Sequence, residues 1–185
     1  MPIPDFDHNQ VLPPHAGDPT VIGHLSPYQC NTVELAERFG FSNERRAILL
    51  GFLTFRERVR AAGITTGFQW LDGSFLEDVE AREARSPRDL DVVTVYWGYD
   101  RAFQQAVIAN FPAFASSAIS KADFQIDHFP FDAGEHPQFT LELTRYWIQL
   151  FCHNRDAVWK GMLKIDLDTE DSDTQARRVL APTAA

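Results

Sequence analysis

The chain predicts an α/β domain of the α+β kind, a mixed sheet flanked by helices and folded as a single unit. Three observations point there. Its 185 residues fit one domain. Short strand-like segments, β-rich at Val92-Val-Thr-Val-Tyr96 and alternating at Phe124–Phe129, are interspersed with segments of helical period. A hydrophobic content of 44%, with fifteen Phe and four Trp, is enough for one packed core.

Residues 1–28 carry Pro2, Pro4, Pro13, Pro14, Pro19 and Pro27 with little periodicity, which predicts an extended arm along the domain. The domain proper is expected over 29–167. Asn31, followed three residues later by Glu34, has the form of a capping box, so a short helix runs to Phe39 and stops at Gly40. Ser42 caps a second helix, where Ile48, Leu49, Phe52, Phe55 and Val59 recur at helical spacing up to Gly63. Arg45, Arg46, Arg56, Arg58 and Arg60 on that helix are expected on a solvated face beside acidic neighbours.

Thr66–Leu71 predicts a strand. Residues 76–88 are a charged connection with room for a helical turn, and Pro87 disfavours helix just before Asp89. Asp91–Tyr96 predicts a central strand. Asp100–Phe111 predicts a helix ended by Pro112, and Phe124–Phe129 a third strand. Phe139–Phe151 predicts an aromatic-rich helix in which Trp147 and Phe151, with Trp159 beyond it, belong to the core. Gly161–Leu167 predicts a last strand. From Asp168 to Ala185 the chain is acidic and then small-residue rich, a tail expected to be disordered.

The bulk charge bounds the partners. A net charge of −9 gives no support for a broad nucleic-acid surface. No apolar run approaches the roughly 20 residues that span a bilayer, and the first residues lack a basic-then-apolar leader, so a cytoplasmic protein without membrane contact is expected. Cys30 and Cys152 stand far apart with no metal-ligand spacing around them, as two reduced thiols would.

The chemistry concentrates at 70–93. Asp89 and Asp91 open a strand, and period-two geometry turns both to one face. Adjacent carboxylates repel unless a cation or water screens them. Just upstream, Gly73-Ser74 makes a small turn whose N–H groups suit a phosphate. Together these point to a magnesium–nucleotide site. Asp127 adds a third carboxylate on the following strand, while His128 falls on the opposite face. Asp72 is expected as a turn residue. Arg88 and Lys121, and behind them Arg145, Arg155 and Lys160, are candidate partners for phosphate.

A Gly-Ser pair, a two-carboxylate strand and a third carboxylate strand, in that order, resemble the nucleotidyltransferase superfamily of polymerase-beta type, especially its minimal single-domain members. The whole length is also similar to a group of small bacterial proteins that share the Pro-rich start, the Trp-Leu-Asp-Gly-Ser-Phe segment, and an aromatic helix followed by Lys-Gly and a short strand. The resemblance implies that Gly73 and Ser74 hold the triphosphate, Asp89 and Asp91 bind Mg2+ or Mn2+, and Asp127 completes the metal site and activates the acceptor hydroxyl. It implies transfer of a nucleoside monophosphate from a nucleoside triphosphate such as ATP to a protein, a nucleic-acid end or a nucleotide. Some relatives work in toxin–antitoxin or phage-defence loci. The spacer from Ser74 to Asp89 is longer than the superfamily's, and the chain has little room for an added base-binding domain. A catalytically inactive nucleotide-binding or regulatory partner, and a metal-dependent Asp-x-Asp sugar transferase, are the alternatives.

Overall fold

The computed structural model describes residues 3–181. The elements run β1 (Tyr28–Gln29), α1 (Thr32–Phe39), α2 (Asn43–Ala61), β2 (Gly67–Asp72), α3 (Val79–Glu83), β3 (Leu90–Tyr96), α4 (Arg101–Asn110), α5 (Ser117–Phe124), β4 (Ile126–Asp132), α6 (Pro137–Phe151), β5 (Leu163–Asp166) and α7 (Glu170–Leu180). The five strands form one mixed sheet ordered β1-β5-β2-β3-β4. β2 runs antiparallel to both β3 and β5, while β3 and β4 are parallel, joined through α4 and α5. The fold is mixed α+β in a single domain.

Local chemistry fixes the helix starts. Asn31 accepts hydrogen bonds from the Val33 and Glu34 N–H groups while the Glu34 carboxylate accepts from the Asn31 N–H, the complete capping box. Ser42, Asp100 and Ser116 cap α2, α4 and α5 through their side-chain oxygens.

Strand alternation sorts the sheet into two faces. On one, Leu71, Leu90, Val92, Ile126, Leu163 and Ile165 meet the buried sides of α1, α2 and α7 in the main core. On the other, Trp70, Val93, Val95 and Phe131 meet Trp147 and Phe151 of α6. Residues Val11 and Leu12 of the N-terminal segment are fully buried, and the Gly161 N–H donates to the Leu12 carbonyl.

Several expectations from the sequence give way. The region after Asp168 is helical, not disordered, over Glu170–Leu180, and residues 182–185 lie outside the described ones. Buried Asp173 on α7 carries ion pairs to Arg56 and Arg60, which hold this polar helix to the domain. Arg45 and Arg56 are not on a solvated face. Both are buried, Arg45 forked onto Glu80 with its remaining donors on the Phe75 and Glu77 carbonyls, and Arg56 onto Asp173, Gln69 and the Asp166 carbonyl. Trp159 is 69% exposed, whereas Trp147 and Phe151 are in the core. The third strand starts at Ile126, because Phe124 closes α5 and Gln125 turns the chain in a left-handed conformation (φ 57°). Both cysteines are free thiols. No helix among the described residues is long and apolar enough to cross a membrane.

Candidate functional site

Three aspartates meet in a row because of register. Asp72, the last residue of β2, faces Asp91 of β3, and Asp91 aligns with Asp127 of β4. Laterally paired residues share a sheet face, so all three point the same way. They continue the face that carries Trp70, Val93 and Phe129. Asp89, two residues before Asp91, joins them: one carboxylate oxygen from each of Asp89, Asp91 and Asp127 lies within 4.8 Å of the other two. His128 turns to the opposite face, where it packs on Phe55 and Phe114 at 4.5 and 5.1 Å between ring centres.

Asp72 is therefore no turn residue but a buried member of the row, 3% exposed. Its counter-ion is Lys160, equally buried, whose ammonium lies 3.0 Å from Asp72 Oδ1 and donates to the Gly73 carbonyl at 3.0 Å and to Glu77 Oε1 at 2.9 Å. The same ammonium thus neutralises Asp72 and Glu77 together. Glu77 also pairs with Arg82 at 2.6 Å.

Burial and like charge work on this row together. Burial, then the neighbouring Asp72, Asp89 and Asp127 charges, push Asp91 up to about 7. Burial pushes Asp72 up to about 6, with Lys160 pulling the other way. Burial also opposes the charge on Lys160, but Asp72 and Glu77 outweigh it and hold the ammonium above the ordinary lysine range.

Gly73 closes the row from above. Its φ is +85°, and a Cβ there would stand 2.7 Å from Asp91 Oδ2 and 2.9 Å from its Cγ. Only glycine leaves backbone and carboxylate in contact at that point. Ser74 begins a single 3-10 turn, Ser74–Leu76, rather than an α-helix, so the helix dipole that a longer element would aim at a phosphate is small.

α5 flanks the row at Asp127. Ser117 Oγ donates to Asp127 Oδ1, and Lys121, one turn further on, places Nζ 2.6 Å from Asp127 Oδ2 and 3.3 Å from Asp89 Oδ2. The hydrogen bond to Asp127, with the charges of Asp127 and Asp89, raises Lys121 above its usual range. Arg88 is exposed and makes no ion pair among the described residues, and Arg145 on α6 bonds only to Gln149.

The sequence reading missed Asp72, Lys160 as its buried partner, and Ser117. Extending the first strand by one residue, to pair Asp72 with Asp91, was the signal for the first. Nothing local marks Lys160, which reaches the site from 87 residues beyond Gly73.

The donor set is all carboxylate oxygen. It fits a hard divalent cation such as Mg2+ or Mn2+ and does not suit soft metals.

The chain belongs to a family of unknown function, DUF6932, whose profile matches residues 4–166. No curated protein matches it.

Proposed function

We propose that this member of DUF6932 is a metal-dependent nucleotidyltransferase, moving a nucleoside monophosphate from a nucleoside triphosphate to a hydroxyl acceptor. One observation carries the reading: carboxylate oxygens of Asp89, Asp91 and Asp127 converge within 4.8 Å beside the Gly73-Ser74 turn.

Asp89, Asp91 and Asp127 would hold Mg2+ or Mn2+. When bound, such ions neutralise triphosphate charge and stabilise attacking and leaving oxygens. The protein's own share is positioning and charge. Asp91 is fixed between two paired strands, and Ser117 locks one oxygen of Asp127. Asp127 also helps take the acceptor's proton as the acceptor oxygen bonds to the α-phosphorus and the bond to pyrophosphate breaks. Backbone at Gly73 and Ser74 approaches the phosphates, and Lys121 and Arg88 supply positive charge around them. The acceptor is a protein, a nucleic-acid end or a nucleotide, in a cytoplasmic setting such as a toxin–antitoxin or phage-defence locus.

Incubation with labelled nucleoside triphosphates, Mg2+ or Mn2+, and a cell extract tests this. Transfer of label that Asp89→Ala or Asp91→Ala abolishes, in protein that still melts cooperatively, supports the reading. Asp127→Ala is expected to cut turnover far more than nucleotide affinity; equal loss of both would remove its role as base.

A second reading, a nucleotide-binding regulator without turnover, draws on the short 3-10 turn after Gly73, which gives a weaker phosphate cradle than a full helix. Binding of nucleotide with no transfer in any extract would favour it.

A further inference from the structure

We propose that Lys121 is a tethered competitor for the metal site: its ammonium holds Asp89 and Asp127 in the ion-free protein and is displaced when a divalent cation binds. The inference rests on the metal reading above and adds how the site is kept folded and selective without its ion.

The geometry sets the competition. Lys121 Nζ reaches Asp127 Oδ2 at 2.6 Å and Asp89 Oδ2 at 3.3 Å, so it lies against two of the three residues whose oxygens converge. A cation held by those same carboxylates and the ammonium would repel each other over a few ångströms, so the two compete for Asp89 and Asp127. Ser117 and Lys121 sit four residues apart on α5 and so share a helix side. Ser117 keeps Asp127 Oδ1 in place through the exchange, so the carboxylate need not be re-oriented when the ammonium leaves.

The rest of the row explains why a local counter-ion is needed. Asp72, Asp91, Asp89 and Asp127 put four carboxylates side by side. Lys160 serves Asp72 from beneath and is itself buried. Lys121 serves the other end, and its side chain remains 44% exposed. That exposure gives it room to swing away, which Lys160 lacks. A monovalent, single-point ammonium is a weak ligand for two carboxylates in contact with water. A divalent ion displaces it, and a monovalent one does not. Once released, the ammonium stays tethered within reach of the phosphates the ion would bring, which gives Lys121 its second role.

The test measures Mn2+ binding by calorimetry or electron paramagnetic resonance, together with melting in EDTA and in Mn2+, for the wild type, Lys121→Met and Lys121→Gln. Two variants guard against one that fails to fold. Removing the competitor is expected to tighten Mn2+ binding by about fivefold or more, the scale set by losing two partly exposed ion pairs. It is also expected to lower the melting temperature in EDTA and to enlarge the upward shift that Mn2+ produces. Unchanged or weaker Mn2+ binding in folded variants overturns the proposal while leaving the metal reading standing. No Mn2+ binding at millimolar concentration by wild type or variants overturns both.

Discussion

Asp72 and Asp91 are register partners on adjacent antiparallel strands, two carboxylates side by side on one face, with a buried lysine beneath the first and a glycine pressed on the second. Such a pair is costly in a fold that has only itself to stabilise. Burying one carboxylate beside another raises the energy of both ionised forms. The fold holds the arrangement through strand pairing on either side, where Leu71 faces Val92 and Val92 faces His128, all fully or almost fully buried. This strained row, supported by a rigid sheet, is the place to which the proposed metal site is assigned.

Gly73→Ala should damage the site more than the fold. The new methyl would meet Asp91 Oδ2 at 2.7 Å, and alanine disfavours φ of +85°. A cost of about 1–3 kcal/mol follows from the backbone conformation. Asp91 must also shift, so on the proposed metal reading Mn2+ affinity should fall further than the melting temperature implies. Calorimetric titration beside a thermal melt checks this; full Mn2+ affinity in the alanine variant would mean that Asp91 takes no part in binding.

Lys160→Met should destabilise strongly, by about 3–5 kcal/mol, because it leaves Asp72 a buried carboxylate with no cation. Glu77 suffers less, since Arg82 still pairs with it. Adding Asp72→Asn to Lys160→Met should therefore recover a large part of the loss. Urea unfolding of the single and double variants decides it. No recovery would show that the lysine acts through the Gly73 carbonyl and Glu77 instead.

The two tiers of the site differ in how legible they were. Asp89, Asp91 and Asp127 stand out because period-two strands and a carboxylate pair are local patterns, and the structure brings their oxygens together. The supporting tier is not local. Lys160 and Asp72 meet across 88 positions, and Arg56 and Asp173 across 117. An arginine on an amphipathic helix has the same local signature whether water or a distant aspartate receives it. The helix at 117–124 was missed because it is short and the next strand's alternation reads as starting at Phe124, which packs instead on Phe55 and Phe111.

Alkaline pH should unfold the protein partly through Cys30. Burial above all, with the Glu34 charge, pushes its thiol up to about 12 from an ordinary value near 9. The folded pKa is raised, so this contribution is complete below pH 9 and is lost as pH climbs toward 12. Over that window the unfolded thiol has released a proton that the folded one retains, which costs roughly 1.4 kcal/mol per pH unit. Buried Tyr28, also raised by burial to about 12, acts in the same direction from its own ordinary value of 10. Urea melts at pH 8, 9.5 and 10.5 should show the decline, and Cys30→Ala should flatten it. In native protein at pH 8, Cys30 should resist alkylation while the half-exposed Cys152 reacts.

Asp173→Ala tests whether the C-terminal helix belongs to the domain. Asp173 is 4% exposed and receives Arg56 Nε at 3.0 Å and Arg60 at 3.1 Å. Arg56 is 2% exposed and cannot turn to water. It keeps Gln69 and the Asp166 carbonyl as acceptors, yet loses the one carboxylate that pairs with it among the described residues. Removing one member of such a pair leaves a buried charge and should cost about 3–5 kcal/mol. Arg60→Ala, whose partner retains Arg56, should cost much less. Replacing both members, Arg56→Met with Asp173→Leu, should restore most of the stability, because no buried charge remains unpaired. Urea unfolding of the three variants separates these cases. If Asp173→Ala costs no more than a surface change of about 0.5 kcal/mol, α7 is not docked on α2 and the region past Asp168 behaves as the solvated tail its composition suggests.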